Sequence, residues 1–236
     1  MLSRTAKSLA SHLFGGTCYL CRGAAPVERL LCAACDADLP RLEAPACPRC
    51  ALASPAGEVC GRCLAHPPAY DASVAALSYD FPADALVHAL KYRGELALAP
   101  LLARLLAARV ERGERAGFLV PVPLSARRLA QRGYNQAAEI ARPLAALLGV
   151  ALAPQLCERL RDTPAQSELP WAARARNVRG AFRCPSPLGG ASIAVLDDVM
   201  TTGATLEETA LALKRAGAAR VVNWVVARTP PPQERW

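Results

Sequence analysis

The chain has 236 residues, a formal net charge of +8, 53% hydrophobic residues and ten cysteines. That length suits one good core plus a small accessory unit, and no apolar run reaches the ~18 uninterrupted residues of a membrane span. Met1 to Phe14 carries Arg4 and Lys7 but lacks the apolar h-region and small-residue cleavage site of a signal peptide. A short amphipathic leader helix over 1–14 and a cytoplasmic location are therefore expected.

The cysteines come first along the chain. Eight of the ten form four C-x2-C pairs: Cys18/Cys21, Cys32/Cys35, Cys47/Cys50 and Cys60/Cys63. A C-x2-C turn presents two thiolates to one tetrahedral ion, and two such knuckles complete a four-cysteine site. Disulfides fit poorly with a chain lacking an export signal, and an iron–sulfur cluster is a further alternative. Two structural Zn2+ sites over 15–66, a double zinc ribbon, are expected. Short gaps favour sequential grouping, because each loop then closes locally at low entropy cost; a cross-braced grouping of the first pair with the third stays open. The segment has five Arg against five acidic residues, so it is neutral. Metal binding of roughly 10–16 kcal/mol per site would stabilise what so small a core could not.

A linker at His66-Pro67-Pro68-Ala69 precedes the second unit, expected over 70–230 with a tail at 231–236. Ser73 to Tyr79 reads as a strand. Pro82 to Tyr92 reads as a helix stopped by Gly94, and Leu96 to Arg112 as a second helix. Phe118 to Pro123 is a short apolar strand ended by prolines, and Asn135 to Leu148 is a helix. A weak strand near Leu156 to Leu160 and another at Ala181 to Cys184 flank a long polar stretch from Arg161 to Arg179. Such a stretch suits a lid or plain disorder. Ser192 to Leu196 is the central strand, Thr205 to Ala216 a helix and Val221 to Ala227 the closing strand. Alternating strands and helices predict a mostly parallel sheet. Cys157 and Cys184 read as small buried hydrophobes.

The most informative stretch is Ala194-Val195-Leu196-Asp197-Asp198-Val199-Met200-Thr201-Thr202-Gly203-Ala204-Thr205. An apolar strand runs into two carboxylates, then into a hydroxyl-rich loop with one glycine, then into a helix. Carboxylates at a strand's carboxyl end can accept hydrogen bonds from vicinal sugar hydroxyls. The loop can offer a phosphate backbone N–H groups and hydroxyls at the positive end of a helix. A plain helix cap would use one carboxylate and would not bracket a glycine with three threonines. Upstream, Val120 to Ser125 ends a strand and is followed by Arg127, Arg128 and Arg132. Guanidiniums there suit a pyrophosphate, since Arg pairs bidentately with phosphate oxygens; the bland alternative is a solvated basic helix face. Ser125 to Arg183 holds ten Arg against four acidic residues, so the positive excess precedes the acidic motif.

The Asp-Asp segment resembles the phosphoribosyl-pyrophosphate (PRPP) motif of type I phosphoribosyltransferases. Together with the four cysteine pairs, Ala89-Leu90-Lys91-Tyr92, Pro121-Val122-Pro123, Arg132-Gly133-Tyr134-Asn135-Gln136, Arg161-Asp162-Thr163-Pro164-Ala165-Gln166 and Asn177-Val178-Arg179-Gly180-Ala181-Phe182, it makes nearly the whole chain similar to the ComF/GntX family. The resemblance implies an α/β domain of the type I phosphoribosyltransferase kind, with a mostly parallel sheet flanked by helices, preceded by the zinc-ribbon unit. It implies that Asp197 and Asp198 hold the ribose hydroxyls, and that the segment from Val199 and Met200 through Thr201, Thr202, Gly203, Ala204 and Thr205 holds the 5-phosphate. Lys91, Pro121, Val122, Pro123, Ser125, Arg127 and Arg132 would face the pyrophosphate, with Mg2+ accompanying PRPP. The family's association with natural competence implies a role in DNA uptake, with single-stranded DNA and helicase-type uptake proteins as partners. Two readings follow: phosphoribosyl transfer to an acceptor that nothing in the sequence identifies, or binding without turnover.

Overall fold

The computed structural model describes residues 16–42, 45–110, 116–162 and 177–230. The expected leader, the tail and positions 163–176 of the polar stretch lie outside the described residues.

Five parallel strands form the central sheet: β3 (Ala72–Ser78), β4 (Phe118–Pro121), β5 (Ala151–Leu152), β8 (Ser192–Met200) and β9 (Arg220–Arg228), in the order β3-β9-β8-β4-β5. Two small antiparallel pairs lie outside it, β1 (Gly16–Thr17) with β2 (Ala24–Ala25), and β6 (Glu158–Arg159) with β7 (Phe182–Arg183). The helices are α1 (Ala33–Ala37), α2 (Gly61–Ala65), α3 (Ala83–Tyr92), α4 (Ala99–Val110), α5 (Ala126–Arg132), α6 (Gln136–Leu148) and α7 (Ala204–Arg215).

Strand alternation divides the core into two layers. Ala194 and Leu196 of β8, with Val222, Trp224 and Val226 of β9, face α3, α4 and α6. Ile193 and Val195, with Val221 and Val225, face α7 on the other side. The helices match this with apolar residues at i, i+3 and i+4, such as Ile140, Ala141 and Leu144 of α6. Asn135 caps α6 by accepting from Ala137 N–H at 3.0 Å.

The cysteine unit straddles the free edge of β3. Cys18, Ala25, Leu31 and Leu39 of the first ribbon join the α4 layer. Cys47, Cys50, Ala51 and Cys63 of the second join the α7 layer. The chain between the ribbons covers the edge strand: Leu42 N–H donates to Ala76 O (3.1 Å), Ser78 N–H to Pro40 O (2.8 Å) and Ser73 N–H to Pro48 O (2.9 Å). An edge that would otherwise offer unpaired N–H and C=O groups is thereby closed.

Three local differences from the sequence reading have physical reasons. The central strand runs to Met200 rather than stopping at Leu196, because β9 continues the ladder to Met200↔Arg228. The two weak strands pair with each other as β6–β7 and leave the main sheet, which instead gains Ala151–Leu152 at its edge. Cys157 is buried as expected, but Cys184 is only partly so, and its Sγ faces Ser186 O at 3.2 Å at the end of that short ribbon.

Candidate functional site

In the sheet, β4 sits between β5 and β8. The chain leaves β4 toward one edge and leaves β8, through α7, toward the other. Where strand order reverses in this way, the loops at the carboxyl ends diverge and leave a crevice. A cleft of about 730 Å³ opens there. Val122 and Leu124 after β4, and Asp197, Asp198 and Val199 of β8, line its floor.

The acidic pair is placed by the last turns of the β8 ladder. Asp198 is 2% exposed and its Oδ2 lies 3.1 Å from Lys91 Nζ, while its Oδ1 accepts from Val199 N–H at 2.9 Å. Asp197 Oδ1 accepts from Asp198 N–H at 2.9 Å. Burial alone would raise the Asp198 carboxyl, but the Lys91 ammonium outweighs it and holds the group below the ordinary carboxylate range. Asp197 goes the other way: burial first, then the charge of Asp198, push it well above that range. Burial opposes the charge of Lys91, yet Asp198 and then Asp197 raise it above its ordinary value. The two carboxyls of the pair are thus pushed in opposite directions.

Thr201 to Gly203 turn the chain from β8 into α7. Gly203 caps α7 at φ +86°, a left-handed conformation that favours glycine. A Cβ there would sit 2.9 Å from Met200 Cε and 3.2 Å from Tyr70 Oη. Thr202 Oγ1 accepts from Ala204 N–H at 3.2 Å. Thr201 and Thr205 line the cleft at the positive end of α7.

Of the residues singled out from the sequence, Lys91, Val122, Arg132, Asp197, Asp198, Val199, Thr201 and Thr205 line the cleft. Met200 is buried in the α7 layer instead, alongside Tyr70. Pro121 is the last residue of β4, with Pro123 two residues beyond. Ser125 caps α5, accepting from Arg128 N–H (3.4 Å) and donating to Asp162 Oδ1 (2.6 Å). Arg127, its side chain 73% exposed, pairs with the same Asp162 at 3.5 Å. Its neighbour Arg128 lines the cleft, since successive helical residues point about 100° apart. Arg132 bonds Gln136 Oε1 and lies 5.5 Å from the ring centroid of Tyr92.

Sequence reasoning missed Arg159 and Thr229, both on the cleft wall. Arg159 arrives through β6, which pairs only with a strand 23 residues or so further along the chain. Thr229 follows β9, and its Oγ1 is buried without a hydrogen-bond partner among the described residues. Neither carries a local signal: one is a lone Arg among many, the other a Thr before a proline-rich end. Lys91, against Asp198, and Arg128, Arg132 and Arg159 make much of the rest of the lining cationic. Such a cleft suits a ligand with hydroxyls at one end and anionic groups at the other.

The eight paired cysteines gather into two groups, Cys18/Cys21/Cys32/Cys35 and Cys47/Cys50/Cys60/Cys63, with ligand atoms all within 4.8 Å of one another in each. The grouping is sequential. Cys21 and Cys32 sulfurs are 3.7 Å apart, as are those of Cys50 and Cys60, matching the ~3.8 Å between sulfurs held tetrahedrally at about 2.3 Å from zinc. Hydrogen bonds from the Cys21 and Cys32 thiols, with burial, push Cys35 up to about 12. Burial opposes ionisation at Cys18, but backbone N–H groups of Cys21, Cys32 and Leu20 bring it down to about 6. In the second group burial opposes ionisation at Cys47 but backbone N–H groups bring it down to about 7, while burial pushes Cys50 and Cys63 up. The donor sets fit two structural Zn2+ ions.

Comparison with known families agrees on the ribbons. The family described as "Double zinc ribbon domain" matches residues 9–64. In backbone the chain is similar to a purine phosphoribosyltransferase from Pyrococcus horikoshii Ot3, at 16% identity and a TM-score of 0.30 over 70% of this chain and 95% of that one. It is 42% identical over 143 residues to DNA utilization protein YhgH of Salmonella typhi, covering 58% of this chain and 62% of the relative. It is 37% identical over 145 residues to the protein of the same name in Escherichia coli K12, covering 59% and 64%. To competence protein F of Haemophilus influenzae it is 31% identical over 147 residues, covering 58% and 64%. The matches thus span less than two thirds of these relatives' length. The chain thus pairs a stretch that matches the double zinc ribbon family with a parallel α/β domain, and is similar over part of its length to these DNA utilization and competence proteins.

Proposed function

We propose that the cleft above β4 and β8 binds a 5-phosphoribosyl group, in PRPP or another ribose 5-phosphate ligand, and that the chain acts through it in DNA uptake or utilisation. The observation that carries this reading is the alignment of three parts: Asp197 and Asp198 at the end of β8, Lys91 against Asp198, and the Thr201–Thr205 loop at the head of α7. In this reading the carboxylates accept from the ribose 2- and 3-hydroxyls. Thr201, Thr202, Gly203, Ala204 and Thr205 hold the 5-phosphate, with Val199 and Met200 shaping the turn. Lys91, Arg128, Arg132 and Arg159 face the pyrophosphate, which Mg2+ would accompany. A volume of about 730 Å³ leaves room beside PRPP for an acceptor.

Transfer would form a bond from an acceptor nitrogen to ribose C1 and break the C1–O bond. Pyrophosphate leaves with the electron pair, and the acceptor gives its proton to solvent. Charge developing on the ribose ring is stabilised by the Asp pair, and charge on the leaving group by the cationic lining. Calorimetric titration with PRPP and with ribose 5-phosphate, with and without Mg2+, tests the reading. Saturable binding that Asp198→Asn abolishes is expected; no binding of either at millimolar concentration would overturn it.

A second reading is favoured by the kinship with DNA utilization and competence proteins: the same pocket holds the 5-phosphorylated end of single-stranded DNA without turnover. A panel of bases with PRPP separates the two. Pyrophosphate release supports transfer. Tight binding of 5′-phosphorylated over 5′-hydroxyl oligonucleotides, with no release on any base, supports the binding reading.

A further inference from the structure

We propose that Arg228 couples zinc occupancy of the second ribbon to the conformation of the Met200–Ala204 loop, so that a structural metal sets the readiness of the ligand site. The proposal rests on reading that loop as the phosphate subsite only for its functional consequence; the coupling itself is a property of the fold.

Arg228 ends β9 and is 2% exposed. Its Nε donates to Cys50 O at 2.8 Å, inside the second ribbon. Its Nη1 donates to Met200 O and Thr229 O, both at 2.7 Å, and to Thr201 O. One guanidinium therefore bridges a zinc knuckle and the first two peptides of the loop. In a trans peptide the N–H points opposite to the C=O. Drawing the Met200 and Thr201 carbonyls inward turns the N–H groups of Thr201 and Thr202 outward, away from Arg228. Those are the dipoles an anion would meet.

All these acceptors are neutral carbonyls, and Nη2 has no hydrogen-bond partner among the described residues. A buried cation so placed is costly unless an opposite charge lies near. Zn2+ with four thiolates is net negative, and the second ribbon supplies that charge where Cys50 O already accepts from Arg228. Without the ion, nothing clamps the Cys47–Cys50 turn, and the Cys50 carbonyl that Arg228 grips loses its fixed position. A second tether runs in parallel: Arg49, between Cys47 and Cys50, donates to Tyr70 O at 3.1 Å, and Tyr70 Oη would lie 3.2 Å from a Cβ at Gly203. The first ribbon packs against the opposite face of the sheet, so it serves as an internal control.

Amide hydrogen exchange over 201–204 tests the coupling in the full chain. Cys60→Ser removes a ligand from the second ribbon and Cys21→Ser one from the first; metal analysis verifies the loss of one zinc in each. Exchange about tenfold faster is expected in Cys60→Ser and Arg228→Met, a typical coupling strength, and wild-type exchange in Cys21→Ser. Cys60→His keeps four zinc ligands and is expected to restore slow exchange. If Arg228→Met fails to fold, Arg228→Lys takes its place, with a smaller acceleration. Unchanged exchange in Cys60→Ser with one zinc gone, or equal acceleration in Cys21→Ser, would overturn the proposal. Ribose 5-phosphate titration of the same variants separates this from the phosphate reading: faster exchange in a protein whose wild type binds no ribose 5-phosphate supports the coupling and sinks the phosphate subsite.

Discussion

Lys91 Nζ stands 3.1 Å from Asp198 Oδ2, joining the last turn of α3 to the carboxyl end of β8. The Asp198 side chain is 3% exposed and that of Lys91 26%, so water screens the pair little. It ties the acidic motif to a residue from the first third of the second unit.

Lys91→Met leaves Asp198 buried without its cation, at a cost of about 3 kcal/mol at neutral pH. In the wild type, the lowered Asp198 pKa gives stability that is present above the ordinary carboxylate range and lost as pH falls through the lowered value. Raised Lys91 gives stability present below its ordinary value and lost as pH rises through the raised one. In the variant Asp198 rises, so the folded state is penalised increasingly as pH climbs through that new value. Urea unfolding from pH 4 to 8 is expected to show a gap between the two proteins that is widest near pH 7 and narrows toward pH 4. A gap independent of pH would contradict the ion pair.

Asp197→Asn and Asp198→Asn are expected to behave differently. Because Asp197 is pushed well above the ordinary range by burial and by Asp198, its ionised form weakens the fold at neutral pH. The amide removes that penalty, so melting temperature holds or rises while ribose 5-phosphate affinity falls at least about tenfold. Such a trade between stability and site chemistry is common where function holds a strained charge. Asp198→Asn strands Lys91 and lowers both. Calorimetry and thermal melts on the two variants check this.

The sequential cysteine grouping gives a counting experiment. Zinc content of about two per chain is expected for the wild type. Cys21→Ser with Cys32→Ser damages one site and leaves about one zinc, whereas Cys21→Ser with Cys50→Ser damages both. Equal zinc content in the two double variants would refute the grouping.

Gly203→Ala meets both a left-handed φ and two close neighbours, Met200 Cε and Tyr70 Oη. Gly133→Ala shares the left-handed φ, at +82°, but has nothing within 4 Å of its Cβ. Gly133→Ala is expected to cost about 1 kcal/mol from backbone strain alone. Gly203→Ala is expected to cost about twice that and to weaken ligand binding as well, because the loop must shift. Equal melting shifts for the two would argue against the close approach of Tyr70 to the loop.

Much of the fold could be read from local chemistry. The continuous apolar run from Ile193 to Leu196 and 3.6-residue spacing in Asn135 to Leu148 mark elements whose type depends on their own side chains. Their ends were less legible: β8 extends past Asp198 because β9 supplies ladder partners there, and no residue of β8 announces that. The pairing of β6 with β7 was likewise hidden, since both are two residues long and meet only across a long intervening segment. Among cleft residues, Asp197, Asp198 and the threonine loop stood out because their types and spacing are chemically unusual. Arg159 and Thr229 did not, because nothing beside them in the chain differs from an ordinary surface.

By itself, the sequence determined the cysteine knuckles, the alternation of strands and helices, and a carboxylate pair leading into a hydroxyl-rich turn. Each is set by neighbours a few residues apart, through thiol spacing, side-chain period and turn chemistry. Only the tertiary structure decided that Lys91 neutralises Asp198, that the two ribbons grip opposite faces of one sheet, and that Arg228 links a zinc knuckle to the turn after Met200. Those relationships depend on which strand lies beside which, and strand order is settled by burial of the whole core rather than by any local stretch.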